Sequence, residues 1–169
     1  MILYEKYIVK EDYKISESTM FISPYFHVDF RSKIIDEKGI FLTSKRPKDL
    51  LEEACIRDGS SFDGKRKAVI QKLNYKVRTP IPVSPNDFIY AFPTTSFLSY
   101  ECKWFFANTI IDIRPLDENT SEIEFRNGYR MKCNLSTKLL NKQREKTALC
   151  MYVFSPYRKL NIQFTPVLD

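Results

Sequence analysis

The densest chemistry in the chain lies between Arg57 and Lys67. There, Asp58-Gly59-Ser60-Ser61-Phe62-Asp63-Gly64-Lys65-Arg66-Lys67 sets two glycines and two serines beside three consecutive bases. Glycine lets a backbone come close to a ligand. Ser60 and Ser61 offer small hydroxyl donors for phosphate oxygens, and Arg57, Lys65, Arg66 and Lys67 offer charge. Amides, hydroxyls and cations together position a protein on a phosphodiester backbone. An arginine on such a segment can also enter a narrow A·T-rich minor groove, where the negative potential is strongest. The competing reading is a surface loop whose glycines end a helix and whose basic run is hydrated. Lys76 and Arg78 follow, with Tyr75 beside them as a surface on which a base can stack; a tyrosine in that setting is more often core. Arg126, next to Asn127-Gly128 at a hairpin tip, is the last cation of the set.

Other chemistries have thinner support. Asp87, followed by Glu101-Cys102-Lys103, fits the D…(E/D)-x-K spacing of metal-dependent nucleases, in which two carboxylates hold Mg²⁺ and the lysine orients water. The pattern is short, and no further acid stands near it. The single histidine, His27, excludes an imidazole cluster and with it most zinc hydrolases. No nucleophile–base pair is visible. Cys55, Cys102, Cys133 and Cys150 form no C-x-x-C pair and read as reduced, semi-buried thiols. Neither a metal nor a cofactor is expected.

The composition sets the class. With 169 residues, 43% hydrophobic and 14% aromatic, the chain can bury a core without disulfides or metal, and it is not a disordered composition. Four glycines count against dinucleotide-binding loops. The net charge of +6 favours an anionic partner. It is unevenly spread: residues 54–78 and 124–146 each hold seven bases against two acids, and the stretch between them holds two bases against six acids. Such a pattern makes a nucleic-acid face if the two basic segments converge on folding. No apolar run approaches the ~20 residues of a membrane span. Met1-Ile2-Leu3-Tyr4-Glu5-Lys6 does not read as a secretion signal, so the expected location is cytoplasmic, at the nucleoid.

The elements that must position these residues read mostly as strand. Tyr4–Val9 is apolar and β-rich, and Phe26–Thr43 is broken at Glu37-Lys38-Gly39 as a hairpin. Pro47–Arg57 has helical spacing, with Pro47 in the first turn and Gly59 as its stop. Val69, Gln71, Leu73 and Tyr75 alternate as one face of a strand. Pro80, Pro82 and Pro85 fit an extended edge. Phe88–Phe92 and Trp104–Ile113 are further strand-like runs, with Trp104 as a core anchor. In the 121–135 hairpin, a three-residue turn ending in Gly128 pairs Ile123 with Met131 on one face. It sets Glu124 against Arg130 and Glu122 against Lys132 on the other. Ser136 caps a helix over Thr137–Met151 with Leu139, Leu140, Ala148 and Leu149 inward and Lys138, Lys142, Arg144 and Lys146 outward. The fold class is α+β: one β-rich domain, a mostly antiparallel sheet with two helices. Residues 1–31 and 151–169 are divergent terminal segments of that single domain.

The ordered string Ser32–Glu37, Asp58–Lys67, Pro80–Pro85, Ile89-Tyr90-Ala91-Phe92-Pro93-Thr94, Cys102-Lys103-Trp104 and Phe125-Arg126-Asn127-Gly128 resembles the competence transcription factor family, ComK, over roughly residues 32–149. The resemblance implies a sequence-specific activator of DNA-uptake genes. Such a protein binds double-stranded A·T-rich boxes as homodimers that assemble further, works with RNA polymerase, and is controlled by an adaptor to a Clp protease. The segment Met151–Lys159 is similar to the adaptor-binding region, and the tail is shorter than the family pattern. On this reading Arg57, Ser60, Ser61, Lys65, Arg66, Lys67, Lys76, Arg78 and Arg126 are the DNA-binding residues. The alternatives are a metal-dependent nuclease using Asp87, Glu101 and Lys103, and a non-catalytic protein-interaction domain.

Overall fold

Period-two alternation of β-branched and aromatic residues splits one sheet into two apolar faces. A computed structural model describes residues 6–156. Its elements are β1 (Tyr7–Val9), β2 (Thr19–Pro24), β3 (Ser32–Asp36), β4 (Gly39–Thr43), α1 (Pro47–Asp58), α2 (Phe62–Leu73), β5 (Ile81–Ser84), β6 (Ile89–Pro93), β7 (Trp104–Phe106), β8 (Ile110–Pro115), β9 (Ser121–Phe125), β10 (Arg130–Cys133) and α3 (Thr137–Phe154). Seven strands form a sheet in the order β1-β4-β3-β2-β7-β6-β5, and β10-β9-β8 form a second. Among the described residues only β1 and β4 pair in parallel; the other pairs are antiparallel. The class is α+β, as expected.

Along β7, Trp104 and Phe106 enter the core under α1 with Ile22, Ile34, Leu50, Leu51 and Phe62. Phe105 points the other way, into a core shared with the second sheet through Phe92, Ile123 and Phe125. Trp104 meets Phe62 edge-on at 5.8 Å between centroids, and so anchors the core.

The α1 boundaries follow from their residues. Pro47 opens the first turn, and the Asp49 carboxylate accepts from the Arg46 backbone N–H and guanidinium. Gly59 ends the helix at φ +112°, its N–H donating to the Cys55 and Ile56 carbonyls. The 121–135 hairpin has the expected register, Met131 opposite Ile123 and Arg130 opposite Glu124.

Several expectations are corrected. Residues 62–73 are a helix, α2, so there are three helices among the described residues and no strand at Val69–Tyr75. The buried stripe of α2 is Phe62, Lys65 and Val69; a lysine inside it disguised the helical period. Trp104–Ile113 is two strands in different sheets, separated by a 3-10 turn at Ala107–Thr109. Residues 26–31 are irregular, with Phe26 and Val28 exposed, whereas β2, central in the large sheet, had no sequence expectation. The inward stripe of α3 is Leu140, Gln143, Thr147 and Cys150; Ala148 and Leu149 face outward and Leu139 is half-buried. Met151–Phe154 complete α3, and the Tyr157–Lys159 part of the adaptor-like segment lies outside the described residues, as do Tyr4 and Glu5.

Candidate nucleic-acid interface

The basic segment expected as one loop is a short turn, Gly59–Ser61, between α1 and α2, with its cations distributed along α2. Ser61 is the α2 N-cap: its side-chain oxygen accepts from the Gly64 N–H at 3.0 Å. A β-carbon at Gly64 would stand 2.7 Å from Ser60 Oγ and 3.2 Å from Ser61 Oγ. Both glycines therefore have a local purpose, one as a left-handed helix stop and one as clearance for the serines. Ser60 is exposed beside them.

Lys65 is corrected most sharply. It is 7% exposed. Its ammonium pairs with the Asp58 carboxylate and donates to the Pro82 and Val83 carbonyls at 3.1 and 2.8 Å. An ammonium has three donors, and all three are used, so Lys65 fastens α2 to β5 and has none left for a phosphate. Lys67 is exposed and pairs with Asp63 one turn earlier at 3.0 Å. Arg57 reaches back to the Ile15 carbonyl at 3.3 Å. Arg126 binds the Glu37 carboxylate and the Glu17 carbonyl, a different corner of the fold. Arg130 lies 3.6 Å from Glu124, the cross-strand neutralisation expected from the register.

The structure gathers three predicted residues: Arg66, Lys76 and Arg78 line one cleft of about 320 Å³ with Phe62, Phe97 and Trp104 in its wall. Arg66 lies over the Phe97 ring at 4.6 Å. None of the three has an ion-pair partner among the described residues.

Arg78 sits in the left-handed region at φ +46°, which costs a non-glycine residue roughly 1 kcal/mol. The surroundings hold it there. Gln143, 3% exposed, donates from one amide nitrogen to the Arg78 carbonyl at 2.9 Å and the Pro93 carbonyl at 3.2 Å. Lys146 donates to the Val77 carbonyl at 2.5 Å and lies over the Tyr75 ring at 5.1 Å. Tyr75 is accordingly half-buried, packed against the Val69–Tyr90–Cys150 cluster. Burial first, then the neighbouring Lys142 and Arg78 charges, hold the Lys146 ammonium below its usual range. The second basic segment thus does reach the first, through Lys146 of α3 with Lys142 beside it, but the meeting point is Val77–Arg78 and not the Gly59 turn. Sequence reasoning did not select Lys142 or Lys146, although both stood on the outward face it assigned to that helix.

The nuclease constellation is not assembled. Asp87 shares the Ser84 hydroxyl with Asp58, whereas Glu101 and Lys103 line a separate cleft with Thr94, Thr95 and Asn134. No cluster of three or more metal-ligating side chains occurs among the described residues. No helix among them is long and apolar enough to cross a membrane.

Comparison with known proteins gives two findings. The family described as ComK protein matches residues 10–159, which takes in much of what the sequence had left as divergent ends. A curated relative, the competence transcription factor of Bacillus subtilis (strain 168), is 26% identical over 140 residues, covering 82% of this chain and 72% of the relative. No solved structure matches the chain.

Proposed function

The chain belongs to the ComK protein family, and from that membership we propose that it is a competence transcription factor that binds A·T-rich duplex DNA through the cleft of Arg66, Lys76 and Arg78. Lys142 and Lys146 extend the positive field along α3, and the exposed Ser60 and Lys67, in the turn before α2 and midway along it, are further contacts. One observation carries the assignment: these three cations lie together without counter-charges among the described residues, while Lys65, Lys67, Arg126 and Arg130 are each matched to an acid. Unneutralised charge concentrated on one face is the electrostatic footprint of a nucleic-acid binder. The protein acts without a catalytic step, as a homo-oligomer on DNA in the cytoplasm, where it activates DNA-uptake genes. The dispersed positions of Asp87 and Glu101 do not favour the nuclease alternative.

Gel-shift titration across salt tests this. Each phosphate neutralised contributes about −0.9 to the log–log slope on duplex DNA. Replacing Arg66, Lys76 and Arg78 together by Ala should flatten the slope by about 2.7 and weaken A·T-rich and G·C-rich binding by similar factors, because phosphate contacts carry no base sequence. An unchanged slope removes the cleft from the interface.

A further inference from the structure

The cleft that gathers the cations is also lined by two aliphatic side chains held in water, Leu98 at 74% exposure and Val77 at 70%. Single exposed aliphatics are ordinary. These two come from separate segments onto one charged cleft, and neither segment is loose. Leu98 stands at the tip of a turn closed by the Ser99 N–H to the Ser96 carbonyl at 2.9 Å and by its own N–H to Ser96 Oγ at 3.3 Å. The residue before it is rooted: Phe97 packs on Phe62 at 5.7 Å between centroids and lies beneath Arg66. The Val77 carbonyl is fixed by Lys146, and the next carbonyl by Gln143.

An apolar pair beside unneutralised cations suits a partner that is anionic outside and apolar between its layers. Phosphates satisfy Arg66, Lys76 and Arg78 but offer Leu98 nothing. The face of a base pair does. Aliphatic side chains inserted at a base step unstack it and bend the duplex, at a cost of a few kcal/mol that the added contacts recover. Steps that unstack easily, such as TA, lower that cost.

We propose that Leu98, supported by Val77, is the apolar wedge of the DNA interface: it enters between adjacent base pairs and bends the duplex while Arg66, Lys76 and Arg78 grip the flanking phosphates. The proposal rests on reading the cleft as the DNA site and adds the source of its non-ionic affinity.

The test compares Leu98→Ser, Val77→Ser and Arg66→Ala on an A·T-rich duplex labelled at both ends for energy transfer, with a second duplex carrying a mismatch at the central step. Leu98 and Val77 are exposed, so thermal melts should match the wild type. Leu98→Ser should weaken binding about tenfold, the effect of losing one buried leucine contact, and reduce the bend without changing the salt slope. The deficit should shrink on the mismatched duplex, whose step is already open. Arg66→Ala should do the opposite, flattening the slope by about 0.9. Wild-type affinity and bend in Leu98→Ser overturn the wedge and leave the DNA site standing. A wild-type protein that shows no salt-dependent binding to either duplex overturns both, and points the apolar rim to an acidic protein partner.

Discussion

Lys65 and Arg78 divide the chemistry of the basic stretch between them, one turned inward and one outward. Lys65→Met should leave Asp58 without its partner and two β5 carbonyls without a donor, at a cost of about 3 kcal/mol, read from urea denaturation; a loss below about 1 kcal/mol would mean the contact with Asp58 is a surface pair. For Arg78 the charge and the backbone separate cleanly. Arg78→Gly and Arg78→Ala should flatten the salt slope equally, yet the glycine variant should be the more stable by about 1 kcal/mol because it removes the left-handed strain. Equal melting temperatures would show the strain to be absent. Lys146 carries a pH signature. Its ammonium is held below the lysine range in the folded protein, so between the folded value and the ordinary one the unfolded chain binds the extra proton and stability rises with pH. Below the folded value both states are charged and the cost is constant. Lys146→Met should remove that alkaline rise, seen in thermal melts across the window. The residue types were legible in the sequence, but which way each pointed was not. Lys65 and Arg66 are neighbours, and only the position of β5 decides that one is enclosed and the other is free.

At the scale of elements, the α1–turn–α2 unit is the support of the site. Ser61→Ala should cost about 1 kcal/mol by leaving the first-turn donor of α2 unmatched. Gly64→Ala should fail to show the gain of about 1 kcal/mol that alanine gives over glycine inside a helix, because its methyl would clash with Ser60 Oγ and crowd the capping Ser61 hydroxyl; the full gain in equilibrium unfolding would show that Ser60 and Ser61 rotate away freely. Gln143→Leu should weaken DNA binding without removing any charge, and its effect should vanish in an Arg78→Gly background if the amide acts by holding that residue. Helix α1 and the β9–β10 hairpin were readable because their signals are local: a proline start, a glycine stop, and a turn length that sorts apolar from charged. Helix α2 was misread because a buried lysine occupies a core position of its stripe. Strand β2 escaped notice because its place depends on β3 and β7, which no local pattern announces.

For the molecule as a whole, two sheets share one aromatic seam. Phe105 lies 4.7 Å from Phe21 and 5.5 Å from Phe92 between centroids, and it continues to Phe125 of the second sheet. The four cysteines are buried and unpaired. Burial pushes the Cys55 and Cys150 thiols up to about 12, and raises Cys102 and Cys133 as well. Iodoacetamide should therefore modify none of them in the native protein at neutral pH and all of them in denaturant, counted by mass spectrometry. Modification of the native protein would place a thiol at the surface. The expectation of reduced, semi-buried thiols came from their scattered positions; their near-complete enclosure depends on the packing of both faces of the large sheet.

The three-residue link between α1 and α2 has a thermodynamic corollary. With Ser61 capping one helix, Gly59 closing the other and Lys65 stapling the pair to β5, the ground on which a partner lands is settled in advance. Little chain order then remains to be created on association, and calorimetry should find a heat-capacity change no larger than the contact area requires, without the surplus that accompanies coupled folding.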